Sequence, residues 1–303
     1  MRLFRSILFP FFILYNSISY SNEINIVNDL VGVNTYYTTT KDDTLISVAR
    51  KYDISFADIL SANDADMDPW IPGENQKLLI PKSHILPFSK RDGIVINIGD
   101  LRLYYFRDNK LIDSYPIGIG RSGWETPMGR AKVIKKKKDP IWIPPESIRE
   151  EDPSLPKVVA AGKDNPLGNR AIYLSMPSYL IHGTNKPYGV GMKVSHGCIR
   201  LYPEDIETLF EYVSEGTKVN IIDQPIKAGW SNNKLYIEVH ILPNYVAGKN
   251  NNNKIIKADL YPMAYKVVQK AAGLNITLID WNKVNEAVIL AKGIPIEIML
   301  SLE

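Results

Sequence analysis

Cysteine is the scarcest reactive residue in this sequence: 303 residues carry one, Cys198. A lone thiol excludes an intrachain disulfide framework and leaves either an intermolecular bridge or a reactive group. Histidine is scarce as well. There are four, and two of them, His182 and His196, lie within sixteen residues upstream of the cysteine. Long apolar runs are also missing. The run at residues 7–15 is well short of the roughly 20 residues that span a bilayer. No later segment is longer and equally apolar. Charge of one sign is not in excess either. The formal net charge is +3, and Arg2 and Arg5 contribute two of those charges. A balance this close to neutral makes no case for nucleic acid or an anionic membrane as partner. Hydrophobic content of 45% and charged content of 23% are those of an ordinary globular protein.

What is present begins with an export pattern. Arg2 and Arg5 precede the short apolar run, and Ser19 and Ser21 flank Tyr20 in a loose small-x-small arrangement. The expectation is a signal peptide over residues 1–21, with an uncleaved anchor as the alternative. No cysteine follows the run, which excludes a lipid-modified N-terminus. Cys198 is therefore expected in an oxidising compartment without a partner of its own.

Residues 36–81 read as a small separate unit. Residues 36–40 are β-branched and aromatic, as in a strand. Leu45, Val48, Ala49 and Tyr52 follow at helical spacing, with Asp43 or Thr44 as N-cap. A second short helix is expected from Ser55 or Phe56 to about Asn63, and residues 78–81 close the unit as a strand. This βααβ order, with Asp43-Thr44-Leu45, Ile54-Ser55, Leu60, Asn63 and Leu79-Ile80-Pro81, resembles a LysM module. The resemblance implies binding to peptidoglycan glycan. The glycine usual before the aspartate is Asp42 here.

A polar, proline-bearing connector over residues 82–92 leads into short strands at 94–98, 102–107, 111–117, 131–136, 171–174, 180–183, 218–222 and 235–239. Asp108-Asn109 reads as a hairpin turn. One helix interrupts this mainly β core. Pro203 starts it, Ile206, Leu209, Phe210 and Val213 form its apolar stripe, and Gly216 ends it. The expected fold is a β-sandwich or barrel-like domain over 92–223 and a partly helical extension over 224–303. That extension carries two amphipathic helices, at 261–272 and 281–292, after a polar spacer at 250–253. His84 and His240 have no motif around them and read as structural. The lysine run 135–138 reads as a solvated strand end or loop.

The chemistry concentrates on Val194-Ser195-His196-Gly197-Cys198-Ile199-Arg200-Leu201. A thiol at its reference pKa of about 8.5 is mostly protonated at neutral pH, so nucleophilic work requires a base or cation beside it. His182 and His196 are the local candidates. On a strand, residues 196 and 198 would share a face. His182 can return through the turn-rich stretch 185–189. Gly197 beside the thiol suits an oxyanion hole of backbone N–H groups. Arg200 offers a planar fork for a substrate carboxylate. A zinc reading fails on spacing and on the missing fourth ligand.

Ile181-His182-Gly183-Thr184-Asn185 followed by the cysteine motif resembles the signature of the YkuD-type L,D-transpeptidases. The stretches Pro116-Ile117-Gly118-Ile119-Gly120, Thr126-Pro127-Met128-Gly129 and Asn165-Pro166-Leu167-Gly168 agree with it. With the LysM-like unit in front, the chain is similar to the periplasmic ErfK/YbiS/YcfS/YnhG group of Gram-negative bacteria. The resemblance implies Cys198 as acylated nucleophile and His182 as general base. Ser195, His196, Gly197 and the Gly183 carbonyl would shape the oxyanion site and pocket, and Arg200, Thr184 and Asn185 would contact substrate. It implies no metal or organic cofactor. The implied partners are peptidoglycan stem peptides, with a lipoprotein lysine or a second stem as acyl acceptor. Transfer to water (a carboxypeptidase) and a non-catalytic wall-binding protein are the alternatives.

Overall fold

The structure, a computed structural model, describes residues 28–63, 67–241 and 253–300. The expected signal peptide and most of the polar spacer lie outside the described residues. The fold is mainly β. One curled sheet of eight strands carries the centre of the molecule. Its spatial order is Ile199–Arg200, Leu180–His182, Arg170–Leu174, Gly129–Lys138, Lys218–Ile222, Gly93–Asn97, Arg102–Arg107 and Lys110–Pro116. The hairpin at Asp108-Asn109 forms because both residues accept positive φ, 51° and 61°. Two consecutive positive φ values give a turn whose twist matches the flanking strands. Two pairings in this sheet are parallel, Lys218–Ile222 with Gly93–Asn97 and Leu180–His182 with Ile199–Arg200. The second pairing matters for the site, because it fixes the register of the histidine strand against the cysteine motif.

Pro203–Tyr212 is helical, with Pro203 in the first turn, and buries Ile206, Leu209 and Phe210 against the sheet. A second short helix, Glu146–Glu151, lies in the long crossover between strands and was not expected from sequence. It has no buried residue and no apolar stripe, so periodicity gave no signal for it.

The N-terminal unit contains the helices Leu45–Lys51 and Phe56–Ala62 and the paired strands Thr35–Thr38 and Lys77–Ile80. Each helix starts in a capping box. Thr44 exchanges hydrogen bonds with Ser47, and Ser55 with Asp58. The unit is not a bead on a linker. Ile54, Phe56, Ile59, Leu78 and Ile80 are fully buried in the same apolar cluster as Ile117, Ile119 and Leu201 of the β domain. Gly191 shows how close the two bodies come. Its φ is +81°, and a Cβ there would stand 2.4 Å from the backbone nitrogen of Phe56. Arg50 forks onto Glu204 at 2.9 and 3.0 Å. Asp205 faces Asp53 across the same seam. Burial, then the neighbouring Asp53 carboxylate, pushes Asp205 up to about 9, so the pair holds a proton at neutral pH.

This packing bears on whether the unit can be removed. The proline-bearing connector suggests a dispensable domain, but deletion would expose the faces that Phe56 and Ile54 cover. Removing residues 22–82 is expected to destabilise the β domain by on the order of 5 kcal/mol or more, at about 25 cal/mol per Å² of apolar surface. A thermal melt of the truncated protein checks this. A melting temperature equal to that of the longer chain would contradict it.

The C-terminal part differs from expectation in its strands and in its first helix, which starts at Asn253 rather than at 261. Residues 235–239 do not complete the central sheet. They belong to the strand Lys234–Val239, which pairs with Ile226–Ser231 and Ile296–Glu297 in a separate three-stranded sheet. The helices Asn253–Ala272 and Trp281–Leu290 cover that sheet in a second core. Short alternating strands do not reveal which sheet they join, because pairing partners are set by long-range contacts.

A buried ionic cluster ties the parts together. Lys227 Nζ lies 2.8 Å from Asp100 and 3.1 Å from Glu238. His240 bonds Glu238 at 2.7 Å, and its other ring nitrogen is 3.8 Å from Asp58 in the N-terminal unit. His84, in the connector, contacts the same glutamate at 3.3 Å. Both histidines are therefore structural, as expected. Asp100, Glu238 and His240 converge closely enough to suggest a cation site, but the Lys227 ammonium already supplies the charge. Among the described residues, no helix is long and apolar enough to cross a membrane.

Candidate active site

The parallel register Ile181↔Ile199 and His182↔Arg200 brings the histidine strand beside the cysteine motif. Leu201 N–H donates to the His182 carbonyl at 2.9 Å and locks that register. Cys198 sits just before the strand Ile199–Arg200. It shares a cavity of about 780 Å³ with His182, Arg200, Tyr179 and Trp142.

His182 is 3% exposed. Its Nδ1–H donates to the Gly183 carbonyl at 2.6 Å. A carbonyl can only accept, so the proton is fixed on Nδ1 and Nε2 keeps its lone pair. Burial, and then the Arg200 cation, pushes His182 down to about 3. The imidazole is therefore neutral throughout the physiological range.

Burial raises the Cys198 thiol, while the Leu180 N–H and the Arg200 charge partly oppose that rise. Sγ lies 3.6 Å from the Ser178 carbonyl, a position that suits S–H rather than S⁻. The resting pair is a thiol and a neutral imidazole. Arg200 completes the group. Its buried Nε has no hydrogen-bond partner, and no carboxylate among the described residues is paired with its guanidinium. Burial pulls its pKa below the usual value. A guanidinium left in this condition is short of an anion.

Ser195 and Gly197 shape the cysteine loop. Ser195 Oγ donates to the Cys198 carbonyl at 2.6 Å and accepts the Gly197 N–H at 3.2 Å. Thr126 Oγ1 donates to the Gly197 carbonyl at 2.8 Å. Gly197 has φ +97°, and a Cβ there would meet Tyr179 at 2.8 Å, so the turn needs glycine. Because its N–H is already committed to Ser195, Gly197 is not a free oxyanion donor.

His196 departs from the expectation that it shares a strand face with Cys198. Residues 196–198 form a turn, and the imidazole points into a surface cluster. Its Nε2 is 3.0 Å from both Glu151 and Arg121, and Trp124 stands edge-on at 4.9 Å. Trp124 Nε1 also donates to Glu151 at 2.8 Å. Sequence reading missed Glu151, Arg121 and Trp124. Arg121 and Trp124 follow the Gly118–Gly120 stretch closely and were findable. Glu151 had no local signal, because it reaches the loop from a helix 45 residues away. Thr184 is buried and accepts the Lys186 N–H at 2.9 Å, which makes it a turn residue in this structure. Asn185 donates to the Asp164 carbonyl at 3.0 Å and lines a neighbouring groove.

A neutral base fixed in one tautomer, a thiol and a guanidinium lacking a counter-ion in one cavity are the parts of a nucleophilic acyl-transfer site. Residues 91–221 match the L,D-transpeptidase catalytic domain (YkuD), and residues 37–81 match the LysM domain. The chain is 45% identical over 222 residues to the probable L,D-transpeptidase YcfS of Escherichia coli, covering 70% of this chain and 69% of that one. It is 34% identical over 304 residues to the probable L,D-transpeptidase ErfK/SrfK of Salmonella typhimurium, covering 96% of each. An L,D-transpeptidase structure from Mycobacterium tuberculosis aligns with a TM-score of 0.35 at 18% identity, over 50% of this chain and 73% of that chain. The chain belongs to the L,D-transpeptidase family.

Proposed function

We propose that the protein is a periplasmic L,D-transpeptidase that acts on peptidoglycan stem tetrapeptides through a thioester on Cys198. The observation that carries this reading is the shared cavity, in which the Cys198 thiol, the neutral His182 imidazole and the anion-seeking Arg200 converge. The thiol hydrogen passes to His182 Nε2 as sulfur attacks the carbonyl of the L-centre of diaminopimelate. Backbone N–H groups near Cys198, other than the committed Gly197 N–H, serve as donors to the developing oxyanion. The proton then goes to the departing D-alanine amine, and the thioester remains. An incoming amine, from a lipoprotein lysine or a second stem, gives its proton to His182 and takes the acyl group, which restores the thiol. Arg200 holds a substrate carboxylate as a forked pair. Ser195 and Thr126 keep the cysteine loop in shape.

Intact-mass analysis with a carbapenem is expected to show one adduct on the wild type and none on Cys198→Ala. Tetrapeptide-rich sacculi incubated with the protein should yield new cross-links or attached lipoprotein. Stems trimmed without either product would make it a carboxypeptidase.

A further inference from the structure

The lysine run at residues 135–138 reads from sequence as a solvated strand end or loop. The structure gives it two sides. It forms the last part of the strand Gly129–Lys138, which pairs with neighbours on both edges inside the central sheet. A bulge interrupts that strand. Tyr173 stands opposite Lys135 and Leu174 opposite Val133, so Ile134 is an extra residue, and Ile134 and Lys135 are both exposed. Beyond the bulge, alternation sends the lysines two ways. Lys136 and Lys138 turn to the helix Pro203–Tyr212. There Lys136 Nζ donates to the Val213 carbonyl at 2.6 Å, and Lys138 pairs with Glu211 at 3.3 Å. Lys135 and Lys137 stay on the opposite face with Ile134. Arg130 and Lys132 reach that face from the other side of the bulge, at two-residue spacing.

Ile134 and Tyr173 line the cysteine cavity. The cations therefore border that cavity as a ledge, with Arg130 and Lys132 before Ile134 and Lys135 and Lys137 after it. All four are exposed, and among the described residues none of them is paired with a carboxylate. Lys135 stands over the Tyr173 ring at 5.6 Å. Lys132 faces another cation, because Lys218 lies directly opposite it on the neighbouring strand. Like charges in that position destabilise a sheet. Lys218 has an acid of its own in Asp92, at 2.6 Å, which leaves Lys132 without one. The fold thus gathers positive charge along one rim of the reaction site and supplies no anion to balance it. Arg200, inside the cavity, also lacks a carboxylate partner, and its Nε is unbonded. The charges border a concavity and not a convex face, which fits a peptide entering it better than a membrane surface. At about 3.3 Å per residue the ledge reaches roughly 10 Å to either side of Ile134. An extended tetrapeptide spans about 13 Å, a similar length.

We propose that this basic ledge is a subsite for carboxylates of the peptide whose carbonyl reacts at Cys198, so that the enzyme prefers peptides with free carboxylates to their amidated forms. This inference rests on the acyl-transfer reading above and adds a specificity determinant to it. None of the four cations lines the cavity itself, so the ledge acts on binding and not on bond making. Each exposed charge contributes modestly, and several around one ligand give a preference that salt screens.

The test follows D-alanine release by the purified protein from the stem tetrapeptide and from the same peptide with every carboxylate except the terminal one amidated. The wild type should show a KM about tenfold lower for the free-acid peptide, with similar kcat for both. A triple variant, Lys132→Gln with Lys135→Gln and Lys137→Gln, should bring the two KM values together. Lys138→Gln, on the helix side of the same run, should keep them apart. Salt at about 1 M, where screening acts within roughly 3 Å, should abolish the difference in the wild type. Melting temperatures verify that the triple variant folds, and Lys135→Gln alone, with a smaller change in the same direction, serves if it does not. Equal KM values for both peptides in the wild type would overturn the ledge while leaving the acyl-transfer reading intact. A preference that survives in the triple variant would belong to Arg200 and would also overturn it. Binding to phosphatidylglycerol vesicles that the triple variant loses, with KM values unchanged, would assign the ledge to a lipid surface instead. Release from neither peptide would overturn the acyl-transfer reading and this inference with it.

Discussion

His182→Ala is expected to slow acylation of Cys198 by roughly 10²- to 10⁴-fold, the usual span for loss of a positioned general base. The expectation follows from the resting state of the pair. Burial raises the thiol, so few molecules carry a ready thiolate, and the proton must leave during attack. His182 Nε2 is the acceptor left free by the Gly183 hydrogen bond. The pH dependence separates this role from a merely structural one. With His182 held down to about 3, the acylation rate should show no inflection near the ordinary histidine value of about 6.5. Its acid limb should appear well below that. Arg200→Gln removes a charge that helps hold His182 down, so the limb should move to higher pH. An inflection near 6.5 in the wild type would contradict the assignment. The same shift has a stability consequence. The unfolded histidine binds its proton from about pH 6.5 downward, whereas the folded one does not until about pH 3. Stability is therefore full above 6.5. It falls by about 1.4 kcal/mol per pH unit from this group as pH drops through that window.

Lys227→Met is expected to cost about 3–5 kcal/mol of folding stability, because it removes the ammonium shared by two buried carboxylates. Burial alone would lower the Lys227 pKa. Asp100 and then Glu238 outweigh it and hold the ammonium well above its usual range. Glu238 answers in kind. Burial opposes its charge, but Lys227, His240 and His84 hold it well below the ordinary carboxylate value. Methionine fills similar space without charge, so Asp100 would lose its ammonium partner and Glu238 would keep only its histidine and backbone contacts. For a protein of this size the loss corresponds to a melting temperature lower by on the order of 10 °C. The decrease should shrink when Asp100 is also replaced by asparagine, since one stranded charge is then removed. A thermal melt of the single and double variants checks both statements. No change in Lys227→Met would mean that water or relaxation neutralises the pocket.

Much of the local structure could be read from residue order. The helix starts near Thr44 and Ser55, the turn at Asp108-Asn109 and the start at Pro203 all follow from backbone preferences within a few residues, and the structure has them. The lone Cys198, the histidines upstream of it and Gly197 beside it likewise mark the chemistry without any fold. What the sequence did not contain was the partner of each element. His196 stands two residues from the thiol yet turns to Glu151, because a glycine with positive φ reverses the chain between them. The strand at Lys234–Val239 pairs outside the central sheet, and the N-terminal unit joins the main core across a connector that reads as a linker. The surroundings of the two histidines were fixed by tertiary structure too. Only the parallel pairing of Leu180–His182 with Ile199–Arg200 brings His182 into the cysteine cavity, and only burial together with the Gly183 carbonyl leaves it neutral with Nε2 free. Residue types and short spacings determine which chemistry is available. Solvent exclusion and long-range register, which depend on contacts between distant segments, decide which residues perform it.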